Sequence, residues 1–286
     1  IEALSGERYF LEEARFGYDQ KTHKIEVGKP IGQFYGYKTS GLYQIEDFDY
    51  DAKNQTYTLK EGVPYMSGTF NRNDVRPGMW KFEDRNGDKI IDDSDMTVIG
   101  NANPDFYGGL NNQFKYKEWD FSLFFTFSYG GEVLNATKLT NTKTATTNYS
   151  VLDIANSSNR WMTVNSEGQP ITDPAEMAAI NAGKTVACIY DMEAGDKYIH
   201  SWAVEDASFL RLSNLSLGYT FDRKKLRKFN VQSLRLYFTG SNLFVWTPYS
   251  GFDPEVSTKG NNLTPGVDYG AYPRNRSYVF GLNITF

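Results

Sequence analysis

The chain of 286 residues has few of the side chains that form disulfides or hold transition metals. Its single cysteine, Cys188, excludes an internal disulfide framework, and its two histidines, His23 and His200, argue against a multi-histidine metal centre. The sequence has no apolar run of about 18 residues, which excludes a transmembrane helix. Its formal net charge of −5 argues against a nucleic-acid partner.

Catalytic motifs are absent from the sequence as well. Serine, histidine and aspartate occur, but no spacing places them in a recognised triad, and no glycine-rich phosphate loop follows a strand-like segment. The many carboxylates show no pairing that distinguishes a glycosidase from chance proximity. We therefore predict that the chain is not an enzyme.

Aromatic residues, by contrast, are abundant: they make up 16% of the chain, with 20 Tyr and 20 Phe. Such enrichment is typical of the aromatic girdles at the two interfaces of a membrane β-barrel. It is equally typical of an aromatic-rich β-sandwich or a carbohydrate-binding module. Composition alone therefore leaves a membrane protein and a soluble one open.

The segment from Arg274 to the C-terminal Phe286 has the pattern of a strand with one apolar face. Large apolar residues occupy every second position, namely Tyr278, Phe280, Leu282, Ile284 and Phe286. In an outer-membrane barrel one such face meets lipid and the other meets a wet lumen. We predict that Phe286 points outward at the periplasmic rim, and that this strand pairs with the one containing Leu234, Leu236 and Phe238.

The same alternation recurs upstream and is cleanest between Trp119 and Tyr129. Its apolar side spans about 11 residues, the length of a tilted transmembrane strand, and consists of Trp119, Phe121, Leu123, Phe125, Phe127 and Tyr129. We predict that this side faces lipid and that Asp120, Ser122 and Thr126 face inward. Weaker alternation predicts two more strands, with apolar sides Phe106, Leu110, Phe114 and Tyr116, and Leu215, Leu217, Tyr219 and Phe221.

The connections between these segments differ in length. Lys117-Glu118 and residues 222–230 are short, whereas residues 130–198 and 247–273 are long and polar. Barrels of the outer membrane have short periplasmic turns and long extracellular loops. We therefore place the two short connections on the periplasmic side and the two long ones on the extracellular side. Within the first long connection, Asp173 as N-cap and Pro174 at the first position predict a short helix. For residues 1–79 we predict one or two barrel strands together with additional extracellular segments.

Residues 84–95 form an acidic loop with the ligand spacing of a calcium site. Oxygen-bearing side chains occupy loop positions 1, 3, 5, 9 and 12, namely Asp84, Asn86, Asp88, Asp92 and Asp95, and Ile90 at position 7 offers its backbone carbonyl. Lys89 replaces the usual glycine, and Asp95 is one methylene shorter than the usual Glu. We predict that Asp84, Asn86, Asp88 and Asp95 converge on a structural Ca²⁺ on the extracellular side. The alternative is a solvated acidic turn.

Four motifs resemble segments of SusC/RagA-type TonB-dependent transporters of Bacteroidetes. Residues 28–37 resemble their GkPiGsfyGy segment, and the acidic loop with residues 97–109 resembles their DvNGDGkIDdnDrtviGnanPdf.gG run. Residues 207–219 resemble AsylRlknltLgY, and residues 236–255 resemble the penultimate strand and the loop after it. The matches run from about Lys29 to Phe286 in the order of the family.

The resemblance implies an all-β fold: an antiparallel transmembrane β-barrel in the cell outer membrane. Residues 1–286 are then the C-terminal part of a barrel of about 22 strands with long extracellular loops. They supply about eight of its strands as an open, curved sheet, and the plug domain and TonB box are absent. The terminal Phe286 is, by the same resemblance, the signal that the outer-membrane assembly machinery reads.

The function implied by the resemblance is nutrient import. Such a transporter takes up a glycan or oligopeptide substrate, is capped by a SusD-like surface lipoprotein, and is energised by TonB through the N-terminal part. Its other partner is the outer-membrane lipid. The residues themselves leave two alternatives open, a passive outer-membrane porin and a soluble carbohydrate-binding β-sandwich.

Overall fold

The computed structural model describes residues 8–12, 21–67, 71–142, 151–188, 198–257 and 262–286. It consists of two compact units. The first comprises Ile1–Asn101, Leu134–Val204 and Ser257–Gly270, and the second comprises Ala102–Val133, Glu205–Val256 and Ala271–Phe286. None of the described helices is both long and apolar enough to cross a membrane.

Strands are the predominant regular structure of the described residues. In chain order these are β1 Arg8–Glu12, β2 Lys21–Glu26, β3 Gln33–Gly36, β4 Thr39–Leu42, β5 Phe48–Asp51, β6 Thr56–Leu59, β7 Tyr65–Met66, β8 Trp80–Phe82, β9 Ile90–Ile91, β10 Thr97–Asn101, β11 Phe106–Tyr116, β12 Trp119–Tyr129, β13 Glu132–Asn135, β14 Val204–Asp206, β15 Phe209–Thr220, β16 Ser233–Trp246, β17 Val267–Asp268 and β18 Ser277–Thr285. The α-helices are α1 Ala136–Asn141, α2 Pro174–Asn181 and α3 Arg223–Leu226.

The second unit is one antiparallel sheet in the order β11-β12-β15-β16-β18. Its strands are 9 to 14 residues long, which matches the length needed to cross a bilayer at a tilt. A two-residue turn at Lys117-Glu118 joins β11 to β12, as predicted, and Lys117 adopts a positive φ of 53° there. The pairing of β16 with β18, Leu236 opposite Leu282 and Phe238 opposite Phe280, confirms the predicted neighbour of the terminal strand.

A β-bulge in β15 preserves the apolar face along its whole length. Leu215 pairs with Leu123, but beyond Asn214 the register shifts, so that Leu212 pairs with Phe125. Ser213 is the extra residue of this bulge, and one extra residue reverses the alternation of side chains. The bulge therefore places Leu210 and Leu212 on the same face as Leu215.

The first unit has shorter strands and a core of its own. Sheet β1-β2-β3-β10 has strands of four to six residues, and the pairs β4-β8, β5-β6 and β7-β9 are two-stranded. The core is rich in aromatic residues and includes Tyr35, Tyr37, Tyr43, Phe48, Trp80, Phe82 and Trp161. Helix α2 confirms the predicted one, because the Asp173 side chain accepts a hydrogen bond from the Ala175 N–H, and Pro174 starts the helix.

Two expectations about strand number need correction. About eight barrel strands were expected, but among the described residues five long strands form the sheet of the second unit. No long strand occurs in the described residues before Phe106. The physical reason is that the apolar residues of β2 and β3 are buried in the first unit, as at Ile25 and Phe34, instead of alternating over a membrane-spanning length. Residues 1–7, 13–20 and 68–70, which belong to the same expectation, lie outside the described part.

Candidate functional site: a two-faced sheet and an acidic loop

One face of the five-stranded sheet is apolar from edge to edge. Strand pairing places Phe121 beside Phe114 and Leu217, and Leu217 beside Phe238, which pairs with Phe280. The side chains stay exposed: Phe280 is 80% exposed, and Leu110 on β11 is 56% exposed. Because a soluble sheet buries such a face, this exposure fits a surface whose solvent is lipid. The predicted apolar sides of β11, β12 and β18 are therefore confirmed as one continuous surface.

The apolar side of β12 begins with a tryptophan and ends with a tyrosine, one at each end of this face. At the end with the Lys117-Glu118 turn, the rings of Trp119 and Tyr219 lie 4.7 Å apart. At the opposite end, the rings of Phe106 and Tyr129 stack at 5.2 Å. Two aromatic bands separated by aliphatic and phenylalanine side chains are the arrangement of a transmembrane barrel wall.

The opposite face is polar and carries an ion pair between strands that are not neighbours. Asp120 on β12 and Arg235 on β16 approach to 2.6 Å across β15. The residue between them is Gly218, where an added Cβ would lie 2.5 Å from the Asp120 Oδ1 atom and 2.5 Å from the Arg235 guanidinium. The absence of a side chain at Gly218 is thus what allows this pair to form.

A second set of charges, at the other end of the polar face, centres on two buried residues, Arg211 and Asp253. Arg211 on β15, 3% exposed, donates to Asp253 at 2.7 Å and to Glu255 at 3.0 Å. Arg274 completes the set, with 3.1 Å to Glu255 and 3.8 Å to Asp253. Two cations and two anions leave no net charge, which is how buried charges are normally accommodated. The cluster fastens the segment after β16 to the polar face of β15.

The segment after β16 has further attachments within the second unit. The Thr247 hydroxyl donates to the Ser208 carbonyl at 2.8 Å, and Ser250 donates twice to the Glu205 carboxylate, each time at 2.9 Å. Tyr249 is 5% exposed and packs with Val133 and Ala207. This segment is therefore a fixed structure over the described residues up to 257.

The acidic loop in the first unit is folded by its own carboxylates. Asp84 accepts hydrogen bonds from the N–H groups of Gly87 at 2.6 Å and Lys89 at 2.9 Å. Asn86 and Asp88 each accept one from the residue two positions on, at 2.9 Å and 2.8 Å. Lys89 has a φ of +70°, the left-handed conformation that favours glycine. Lys89 thus adopts a left-handed conformation at the loop position where calcium loops usually have glycine.

The second half of the loop is organised around Asp92 and Asp95. The buried Asp95 carboxylate, 1% exposed, accepts from Arg85 N–H at 2.7 Å and from Asp92 N–H at 3.0 Å. Hydrogen bonds from the Ser94 hydroxyl and N–H lower the pKa of Asp92 below its ordinary value. Nearby, Tyr37 donates to Asp93 at 3.5 Å, and its burial raises its pKa, so that its hydroxyl stays protonated.

The predicted calcium ligands are therefore adjacent, but they do not form a cage. Among the residues that the structure describes, no three acidic, histidine or cysteine side chains are placed to hold one metal ion. The Asn86 amide nitrogen donates to Asp88 at 2.9 Å and to Ser94 at 3.0 Å, and so links the two halves of the loop. The donor set is all oxygen, the chemistry that Ca²⁺ prefers, and calcium binding stays a prediction.

The sequence did not predict the Arg211 cluster, nor that the missing side chain at Gly218 leaves room for the ion pair of Asp120 and Arg235. Arg211 and Asp253 are 42 residues apart, and no local spacing links them. The position of Gly218 between two charged residues follows from strand pairing, which the sequence of β15 alone does not show. The one available signal was the charged pair Asp120 and Arg235, each on the polar side of an otherwise apolar strand.

Comparisons with known proteins agree with this geometry. No protein-family model matches the chain. The chain is 34% identical over 292 residues to the TonB-dependent receptor P3 of Formosa agariphila, with 100% of this chain and 25% of the relative covered. It is 28% identical over 207 residues to the TonB-dependent receptor SusC of Bacteroides thetaiotaomicron, with 72% of this chain and 17% of the relative covered.

Among solved structures, the RagAB peptide transporter superposes with a TM-score of 0.58 at 18% identity, covering 99% of this chain and 25% of that chain. The chain belongs to the SusC/RagA-like TonB-dependent receptors. It spans about a quarter of the length of the receptors that it matches. Its five long strands are accordingly part of a transmembrane receptor barrel, and the β-sandwich alternative is wrong.

Proposed function

We propose that this chain forms part of the wall of an outer-membrane importer for glycans or oligopeptides. The observation that supports this most strongly is the 34% identity to a TonB-dependent receptor along the whole chain. The sheet adds a physical reason, because it has one face suited to lipid and one charged face suited to a wet lumen. Import through the complete receptor would pass along that charged face.

The proposal includes two partners. TonB would supply the energy through an N-terminal region of the receptor, and a SusD-like lipoprotein would cap the extracellular side. The sequence motifs shared with SusC-type receptors support both, as does the likeness in fold to a peptide transporter. A glycan and an oligopeptide are both kept as substrates, because the charged groups of the polar face suit either.

The test is uptake by cells that express the full-length receptor containing this chain. Labelled oligosaccharide and oligopeptide mixtures would be supplied to the wild type, to a receptor deletion and to a strain without TonB. We expect one mixture to be taken up by the wild type alone. Uptake that needs the receptor but persists without TonB would identify a passive porin, and equal uptake of both mixtures by the deletion strain would refute a role in import.

We also propose that the acidic loop binds a structural Ca²⁺ through Asp84, Asn86, Asp88, Asp92 and Asp95, with the Ile90 carbonyl. Support comes from the calcium-loop spacing and from the left-handed Lys89 at the position where such loops turn sharply. The cation would offset the mutual repulsion of the carboxylates and hold the two halves of the loop together. Its role would be structural, since the loop already has a defined hydrogen-bonded fold.

A further inference from the structure

The connection between β15 and β16 carries five cations within six consecutive positions. They are Arg223, Lys224, Lys225, Arg227 and Lys228, and all five are exposed. The only acid in the same connection, Asp222, accepts a hydrogen bond from the Lys224 N–H at 2.9 Å and begins α3. No member of the five forms an ion pair with any residue in the described part of the chain. This basic turn therefore concentrates positive charge that no ion pair among the described residues offsets.

The basic turn is rigidly built. The Phe221 N–H donates to the Leu234 carbonyl at 2.9 Å, and the Gln232 N–H donates to the Thr285 carbonyl of β18 at 2.7 Å. Leu226, 7% exposed, anchors α3, and Asn230 reverses the chain with a φ of +57°. The cations thus project from a closed, fixed connection and do not belong to a loose loop.

The basic turn lies at the end of the strands where the lipid face has an aromatic band. Tyr219, the third residue before Asp222, pairs with Trp119, and its ring lies 4.8 Å from that of Phe221. Phe229, between Lys228 and Asn230, is 75% exposed. Exposed phenylalanine next to exposed cations, beside tryptophan and tyrosine, is the composition of a membrane interface.

The turn also forms a concavity. Asp222, Arg223, Lys224, Arg227 and Asn230, with Val231 and Gln232, line a space of about 820 Å³. Three of its lining side chains are cationic and one is acidic, so the space favours an anion. Its position beside an interfacial aromatic band means that the most concentrated anions within reach are lipid phosphates.

We propose that the basic turn binds the phosphate of anionic phospholipid headgroups, such as phosphatidylglycerol, in the membrane leaflet at this end of the barrel. The proposal rests on the proposed membrane location of the receptor. Short turns lie on the periplasmic side of such barrels, which points to the periplasmic leaflet. The phosphate would pair with Arg223, Lys224 and Arg227, and Phe229 would enter the headgroup region. The bound lipid would hold the barrel at a fixed depth.

The test uses the purified full-length receptor in detergent and native mass spectrometry with added phosphatidylglycerol. The variant is R223Q/K224Q/R227Q, which removes the three cations that line the concavity, and the matched control is K29Q/K53Q/K60Q, which removes three exposed cations from the first unit. We expect about hundredfold weaker phosphatidylglycerol binding for the first variant, since each of the three cations near an anionic surface contributes about fivefold. The control should match the wild type. High salt should weaken wild-type binding toward that of the variant.

Several results would overturn the proposal. Unchanged phosphatidylglycerol binding in the turn variant is one. Equal losses for phosphatidylglycerol and zwitterionic phosphatidylcholine would show that charge is not recognised. Weakened binding of lipid A or of a periplasmic protein, with phosphatidylglycerol unaffected, would assign the turn to another partner. A heat-dependent shift in gel mobility checks the folding of each variant, and the uptake test is separate, so that failure of lipid binding is distinguishable from failure of the importer proposal.

Discussion

Asp120 and Arg235 form an ion pair over the backbone of Gly218, with 2.6 Å between the carboxylate and the guanidinium. The two residues lie on strands β12 and β16, which do not touch by hydrogen bonds, and β15 lies between them. The pair therefore ties three strands of the polar face together. It also explains a charged residue on each of two strands that otherwise carry long apolar faces.

Replacing Gly218 with alanine should break this arrangement. The new Cβ would meet both partners at 2.5 Å, so they must separate. Both are the ends of flexible, partly exposed side chains that can move away, so the loss should be that of the ion pair, under about 1 kcal/mol of unfolding free energy. The matched control is Gly218→Ala in an Arg235→Gln background, where the ion pair is already absent and the added methyl group should cost less. Urea unfolding of the full-length receptor in bilayers measures both. Equal losses would contradict the role assigned to Gly218.

The two ion-pair systems of the polar face should differ in their contribution to stability. Arg211→Gln leaves Asp253, 4% exposed, without its closest partner, and should cost about 3–5 kcal/mol, toward the lower value because Arg274 remains 3.8 Å away. Arg235→Gln removes a half-exposed pair, and should cost under about 1 kcal/mol. Unfolding midpoints of the two variants test whether Arg211→Gln is the more destabilising substitution. A larger loss for Arg235→Gln would contradict it.

Removal of Phe286 should reduce assembly of the receptor in the outer membrane. Phe286 is 76% exposed at the end of β18, so its loss removes little packing, and any defect reflects recognition of the terminal strand. The folded fraction is measured by heat-modifiable gel mobility of the membrane fraction. Phe286→Tyr keeps an aromatic terminus, and should assemble like the wild type. Normal assembly of the deletion would argue against the terminal signal.

Calcium binding should depend on the first half of the acidic loop. Asp84→Asn with Asp88→Asn removes two charges, and should weaken Ca²⁺ binding at least about tenfold by calorimetry on the full-length receptor. Asp51→Asn with Asp49→Asn, around the turn between β5 and β6, removes two charges elsewhere and should have no effect. Absence of calcium binding by the wild type would leave a solvated acidic turn.

The parts of the fold that alternate strictly were predictable from the sequence. In β12 and β18 every second residue is large and apolar, and the structure places those residues on one face. Ser213 shows what the alternation of residues cannot predict. In a straight strand Leu210 and Leu212 would share a face with Asn214, and only the bulge at Ser213 reverses this. A bulge depends on the pairing of two strands, which a single segment does not encode.

The candidate site was less predictable for a related reason. The carboxylates of the acidic loop are local in sequence, so their spacing was visible. The cluster of Arg211, Asp253, Glu255 and Arg274 joins residues from three segments of the second unit, and it exists only because the chain after β16 folds back onto β15. Long-range pairs of charges carry no periodic signal, so they appear only once the sheet order is known.

The central claim is that the five-stranded sheet is a membrane wall with lipid on its apolar face. The most direct measurement is a spin-label scan of β12 in the full-length receptor in bilayers, with single cysteines at positions 120–127 in a Cys188→Ala background. We expect high collision rates with oxygen, which partitions into lipid, at positions 121, 123, 125 and 127, and low rates at the even positions between them. Oxygen collision rates without this period of two, or high accessibility of the odd positions to a water-soluble nickel chelate, would contradict it.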